Sequence, residues 1–240
     1  MKIIEFVKKF NNTPSSLLLL LLLSADCTFI MLNIIQIIFF NQGNILFSIK
    51  TDLGYPEIYQ YIKWCWIVII LLFISWINRS LSYLVWCLVY FFLLADDATR
   101  IHERVGNYIS GKMEVMSFFS LRMQDYGELV VVVVSALFFG FLVLLAYLHG
   151  NSAFRKMSHD LLMFIIILFF FGVVLDIGKY VLQIGLKSRA IIGFIEDAGE
   201  MFTASLTLWY VFFKSIQDKG KQVYLCEEIL HLSPNHKNSF

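Results

Sequence analysis

Charge and proline are scarce in this chain: 15% of its 240 residues are charged and only 3 are proline. Set against 59% hydrophobic residues and a mean hydropathy of +0.73, that scarcity excludes a water-soluble domain, whose surface needs about a quarter of its residues charged. Neither sign of charge prevails. A formal net charge of +1 leaves no field that would gather nucleic acid or build a polybasic lipid-binding surface. Cysteine is also sparse. Cys27, Cys65, Cys87 and Cys226 show no Cys-x-x-Cys spacing, and the first three fall in hydrophobic runs, so neither a disulfide framework nor a zinc site is expected. His-Glu-x-x-His, Gly-x-Ser-x-Gly and Walker patterns are missing, as are internal repeats.

Long apolar runs are what the chain does have. Lys2, Lys8 and Lys9 precede a leucine run from Leu17 to Leu23, in the manner of a signal peptide. However, Asp26 stands where a cleavage site needs a small residue, and the run continues to Phe40, so an uncleaved first span over about 15–40 is expected. Further spans are expected at about 62–77, 81–94, 128–148, 160–182 and 190–213. They define an all-α, polytopic membrane bundle of about six helices in a single domain, with a short tail at 214–240. Gly43, Gly54 and Pro56 mark 41–59 as a loop. Asn78-Arg79-Ser80 reads as a tight hairpin, and Val105 to Gly127 suits the membrane interface. Six spans put both termini on one side, and the N-terminal lysines, with Arg155 and Lys156 in a short loop, assign that side to the cytoplasm. The expected surroundings are a lipid bilayer, with a protein partner or a second copy of the chain beside it.

Acids inside these spans point to function, because a charge in hydrocarbon costs kilocalories unless it is compensated. Glu196, Glu200, Thr203 and Thr207 recur at i, i+4, i+7 and i+11 and form one stripe of the sixth span, flanked by Asp197. Asp176, Lys179, Tyr180 and Gln183 do the same in the fifth, and Asp26, Asn33 and Gln36 more loosely in the first. The second and fourth spans carry almost no polar groups. At a rise of about 1.5 Å per residue, Glu196, Asp176, Asp97 and Asn33 share the outer half, with Glu200 and Asp26 nearer the midplane.

The third span runs on through Asp96 to Arg104. If it stays helical, His102 lies on the packed side, where the carboxylates of the sixth span are its natural partners. A cavity is therefore expected with Glu196 and Glu200 as main ligands, Asp97, His102 and Asp176 in support, and Asp26, Asn33, Asp197 and Thr203 as further polar lining. Such a set suits a divalent cation or protons held by crowded carboxylates. Simpler structural readings stand beside it. Asp96 to Arg104 can form a solvated ion-pair ladder, and Glu196 or Glu200 can pair with Lys179, Lys187 or Arg189.

Two segments carry a resemblance. Asp96-Asp97-Ala98-Thr99-Arg100-Ile101-His102-Glu103 and Glu196-Asp197-Ala198-Gly199-Glu200-Met201 resemble the Asp-Glu-x-x-x-x-His-Glu and Glu-Glu-x-x-Glu-Met segments of a group of uncharacterised bacterial multi-pass membrane proteins. Asp97 and Asp197 each replace a Glu of that pattern. The resemblance implies a bacterial inner membrane and a working relation between the two segments; it implies no reaction. Three functions stay open: a sensor or assembly subunit, a membrane-embedded metal-dependent hydrolase, and a small transporter or channel. The first is placed ahead, since no nucleophile motif supports the second and no repeat supports the third.

Overall fold

A computed structural model describes residues 13–39, 45–49, 51, 53–112, 123–181, 185–217 and 223–232. Every regular element among them is helical. The chain runs through α1 (Thr13–Phe39), a 3₁₀ turn (Ile45–Phe47), α2 (Tyr55–Asn78), α3 (Ser82–Thr99), α4 (Ile101–Ser110), α5 (Met123–His149) and α6 (Ser152–Phe169). A π turn (Phe170–Val174), α7 (Leu175–Val181), α8 (Leu186–Ile216) and α9 (Leu225–Leu232) complete it. Five stretches are long and apolar enough to cross a membrane: Pro14–Phe39, Tyr55–Asn78, Ser82–Thr99, Met123–His149 and Ser152–Lys179. They fit an integral membrane protein. The sixth expected span is α8, which at 31 residues has the length but is not apolar enough to join those five.

Several helices extend beyond their expected bounds, for local reasons. α2 begins at Tyr55 rather than Ile62, because Pro56 occupies its first turn, where a missing N–H costs nothing. α6 begins at Ser152 because the Asn151 side chain accepts the Phe154 N–H at 2.8 Å, the contact that starts a helix. The third span does not continue unbroken. Arg100 adopts a left-handed conformation (φ 54) that separates α3 from α4, so Asp96 to Arg104 is an elbow and not a single ladder. Arg100 still pairs with Glu103, at 2.7 Å. Of the expected interfacial segment, 113–122 lies outside the described residues; its first part is α4, packed so closely on α5 that a Cβ on Gly106 would lie 2.7 Å from the Glu128 nitrogen.

The apolar core joins α2, α3, α6 and α8. Trp64, Ile67, Leu71, Trp86, Tyr90, Phe154, Leu161, Leu208 and Val211 are all but inaccessible within it. α5, in contrast, buries none of its most apolar window and presents Leu137, Phe138, Phe141 and Leu144 outward, as a lipid-facing helix does. The tail is more than a polar end. Asp160 accepts the Leu225 and Cys226 N–H groups at 2.8 and 2.6 Å and the Tyr210 hydroxyl at 2.5 Å, fixing α9 across the end of α6 and α8. Lys156 reaches Glu227 at 2.9 Å, and Lys214 lies 3.7 Å from the Tyr224 ring centroid.

Candidate functional site

At the opposite end from α9, where α2 begins and α3 ends, lies a cavity of about 150 Å³ lined by Glu57, Gln60, Asp97, Asp197, Glu200 and Met201, with Thr51, Ile49 and Pro56 at its edge. Its size admits several waters. Four carboxylates from three helices thus meet around one space, and among the described lining residues there is no Lys, Arg or His. Trp64 donates to Asp97 at 3.0 Å, and the Tyr61 hydroxyl donates to the Asp97 carbonyl at 3.1 Å. Glu57 accepts the Leu53 N–H, at a residue held in the left-handed region (φ 59).

Glu200 sits beneath the π turn. A Cβ on Gly172 would collide with its carboxylate oxygen, and one on Gly199 would collide with the Phe171 ring. These two glycines let a side chain of each element lie directly on the other's backbone, Glu200 on Gly172 and Phe171 on Gly199. A single wide turn inside an α-helix is a recurrent feature of functional sites, and this one faces an acid for which no described residue supplies a hydrogen-bond donor.

The remaining expected ligands lie elsewhere. Glu196 and Asp176 close on one cation, with Lys179 Nζ at 2.6 and 2.7 Å from their carboxylates. His102 does not reach the sixth span; its Nδ1 stands 2.9 Å from Asp96, and its backbone N–H donates to the other oxygen of the same carboxylate at 2.8 Å. The reason is the break at Arg100, which turns α4 back so that Asp96 caps its first turn. The hydrogen bond to Asp96 holds the His102 pKa above its ordinary value. Burial opposes that shift, while the charges of Asp96, Glu128 and Glu103 add to it. Among the described residues no group of three or more His, Cys, Asp or Glu could hold a metal ion. The nearer counter-charges of Lys179 and Asp96 divide the five expected ligands into three places.

The other polar residues separate as well. Thr203 and Thr207 turn their hydroxyls onto the carbonyls of Gly199 and Thr203, at 2.7 and 2.8 Å, a bond that satisfies them within their own helix. Asn33 is buried, and its amide nitrogen has no partner among the described residues. Asp26 is 0% exposed and meets Lys63, also 0% exposed, at 3.0 Å. Lys63 donates further to the Met201 carbonyl at 2.8 Å and to Ser205 at 3.1 Å, and Ser205 donates to Asp26 at 2.6 Å. Neither Glu57 and Gln60 nor Lys63 is anticipated from the sequence. The signal is the spacing Glu57-x-x-Gln60-x-x-Lys63 directly after Pro56, which becomes a polar helix face once the proline is taken as a helix start.

Fold and site together define an all-helical bundle of the kind that crosses a membrane, with an acid-lined cavity between α2, α3 and α8. The chain belongs to the family described as a domain of unknown function (DUF8692), whose model matches residues 53–216. No curated protein and no solved structure matches it.

Proposed function

We propose that the chain is a noncatalytic membrane subunit, a sensor or an assembly partner, whose acidic cavity takes up protons or a small cation. One observation carries the reading: four carboxylates, Glu57, Asp97, Asp197 and Glu200, from three helices line the same cavity. Carboxylates withdrawn from water need positive charge or protons close by, which favours uptake of either at this cavity. The absence of a three-ligand group among the described residues favours a proton, or a cation that keeps part of its water shell, over a bare ion chelated by side chains. Occupancy would then pull α8 toward α2 and α3, and that movement is the signal or the assembly trigger. Lys2, Lys8 and Lys9 favour an orientation with both termini in the cytoplasm.

The test is thermal unfolding of the purified protein in detergent, across a pH series and with Na⁺, Mg²⁺, Ca²⁺ or ethylammonium added. A ligand at about 100 times its Kd stabilises the folded state by roughly 2.7 kcal/mol. Glu200→Gln should abolish both the cation-dependent rise and its dependence on pH. Identical behaviour of wild type and variant under every condition overturns the proposal.

A further inference from the structure

We propose that the turn joining α5 to α6 binds one anionic phospholipid, its phosphate at Arg155 and His159 and its acyl chains on the exposed apolar faces of the two helices. The turn lies at the α9 end of the bundle, where Lys156 meets Glu227, and the proposal does not depend on the cavity reading.

The head of the site is built on the turn itself. α5 ends at His149 and α6 begins at Ser152. Arg155 is held across the turn, its Nε donating to the Tyr147 carbonyl at 3.0 Å and its Nη2 to the Leu148 carbonyl at 3.1 Å, with the guanidinium 5.5 Å from the Tyr147 ring centroid. His159 stands one turn further along α6. Its Nε2 is 3.0 Å from the Tyr147 hydroxyl, and the two ring centroids are 5.5 Å apart. Tyr147 therefore ties both groups to one place. Capping the last carbonyls of α5 accounts for two of the five N–H donors of the guanidinium. Arg155 is nevertheless exposed, and no carboxylate among the described residues pairs with it. Lys156 beside it is already taken by Glu227, at 2.9 Å.

Charge around the turn is one-sided. From 129 to 159 the chain has no Asp or Glu, and the next acid, Asp160, is buried and accepts three donors. The near-zero net charge of the whole chain conceals this stretch. The start of α6 adds the positive end of its dipole. These surroundings suit an anionic headgroup over a zwitterionic one, whose amine would find no carboxylate from this stretch beside it.

Depth points to a lipid as the source of the phosphate. Arg155, His159, Leu162 and Ile166 recur at i, i+4, i+7 and i+11, so they share one face of α6, and all four are exposed. Ile166 lies about 16 Å along the axis from Arg155; one leaflet, half of a hydrocarbon core of about 30 Å, measures about 15 Å. A phosphate at Arg155 thus leaves one chain length of apolar helix beneath it. On α5, Leu137, Gly140 and Leu144 lie on the face of Tyr147 and are exposed as well, and a Cβ on Gly140 would meet nothing within 4 Å. The two helices pack inward on different partners. Phe139 of α5 meets Phe92 of α3 at 4.9 Å, and Phe164 of α6 meets Tyr210 of α8 at 5.6 Å, which leaves the outward faces to lipid.

Native mass spectrometry of the detergent-purified protein, with phosphatidylglycerol or phosphatidylcholine of matched chains added, tests the site. Wild type is expected to retain one phosphatidylglycerol over phosphatidylcholine by about fivefold or more, and the Arg155→Gln, His159→Gln double variant to hold the two lipids alike. Equal retention by wild type overturns the proposal, as does a preference that survives in the double variant. A phosphatidylglycerol with a diazirine at the end of a chain should label 137–144 or 162–166 of wild-type protein, a readout that stands even if the double variant fails to fold. Labelling confined to other helices overturns the site. Displacement of the bound lipid by millimolar inorganic phosphate also overturns it, since the free anion alone would then be the ligand.

Discussion

Removing the Asp26 carboxylate should destabilise the bundle by about 3–5 kcal/mol, the cost of leaving a buried ion without its partner. The structure supports the upper part of that range. Asp26 accepts from Lys63 at 3.0 Å and from Ser205 at 2.6 Å, and hydrogen bonds to a charged group are worth about 1.5–3 kcal/mol each. In Asp26→Leu the Lys63 ammonium keeps, among the described residues, the Met201 carbonyl, the Ser205 hydroxyl and the Tyr59 ring, whose centroid is 4.7 Å away. None of these carries a negative charge. Adding Lys63→Met should recover most of the loss, because replacing both ions by apolar groups of similar volume is often neutral or stabilising. Ser205 would not be orphaned in the double variant, since it lies four residues after Met201, whose freed carbonyl can accept its hydroxyl. The double variant is therefore expected within about 2 kcal/mol of wild type, giving a coupling of about 3 kcal/mol or more. Reversible unfolding of the four proteins in bicelles, followed by tryptophan fluorescence, measures the cycle. A double variant as unstable as the sum of the two singles would refute the idea that Asp26 and Lys63 act as a pair.

Gly172→Ala should cost about 1–3 kcal/mol through overpacking, since the new methyl meets the Glu200 carboxylate; pairing it with Glu200→Ala should restore most of the melting temperature. Asp160→Ala removes the acceptor of two α9 amides and of Tyr210. With a cap worth about 0.5–2 kcal/mol, hydrogen exchange at the Leu225 and Cys226 amides should speed by about tenfold or more, while the cavity's cation response stays unchanged. His102 ties stability to pH. Its Asp96 bond raises the folded-state pKa above the ordinary 6.5, so the contribution is complete below 6.5 and disappears as pH rises through the higher folded value. Melting curves across that window should lose this slope in Asp96→Asn.

Apolar periodicity made five of the spans and the place of α8 legible, since a stretch of about twenty apolar residues has few alternatives. The stripe through Glu196 and Glu200 also showed which face of α8 is polar. What it could not show was how charge divides among near neighbours. Lys179 lies three residues from Asp176, and it takes both Asp176 and Glu196, leaving Glu200 with Asp97 and Asp197 around the cavity. His102 illustrates the same limit, because a single left-handed residue at Arg100 reversed the face on which it was expected. Lys63 was hidden for another reason. A lone lysine at the edge of an apolar run resembles a residue that snorkels to the interface, and only the earlier start of α2 places it two turns inside the helix.

That lysine also decides how the first helix belongs to the rest. The family match covers 53–216, which holds Glu57, Gln60, Asp97, Asp197 and Glu200 but begins after α1. Lys63 lies inside the match and its counter-ion Asp26 before it. A bundle of α2 to α8 alone would keep the ammonium within reach of Ser205 and the Met201 carbonyl while removing the only carboxylate bonded to it among the described residues. Burying that charge unpaired costs as much as the loss of Asp26 itself, so α1 is a structural member of this bundle and not an appended anchor. Lys63 is bonded to the carbonyl of Met201, a wall of the cavity, so the lysine that holds α1 adjoins the cavity. On the function proposed above, the contact between α1 and α8 is the place to look for a response to occupancy of the cavity.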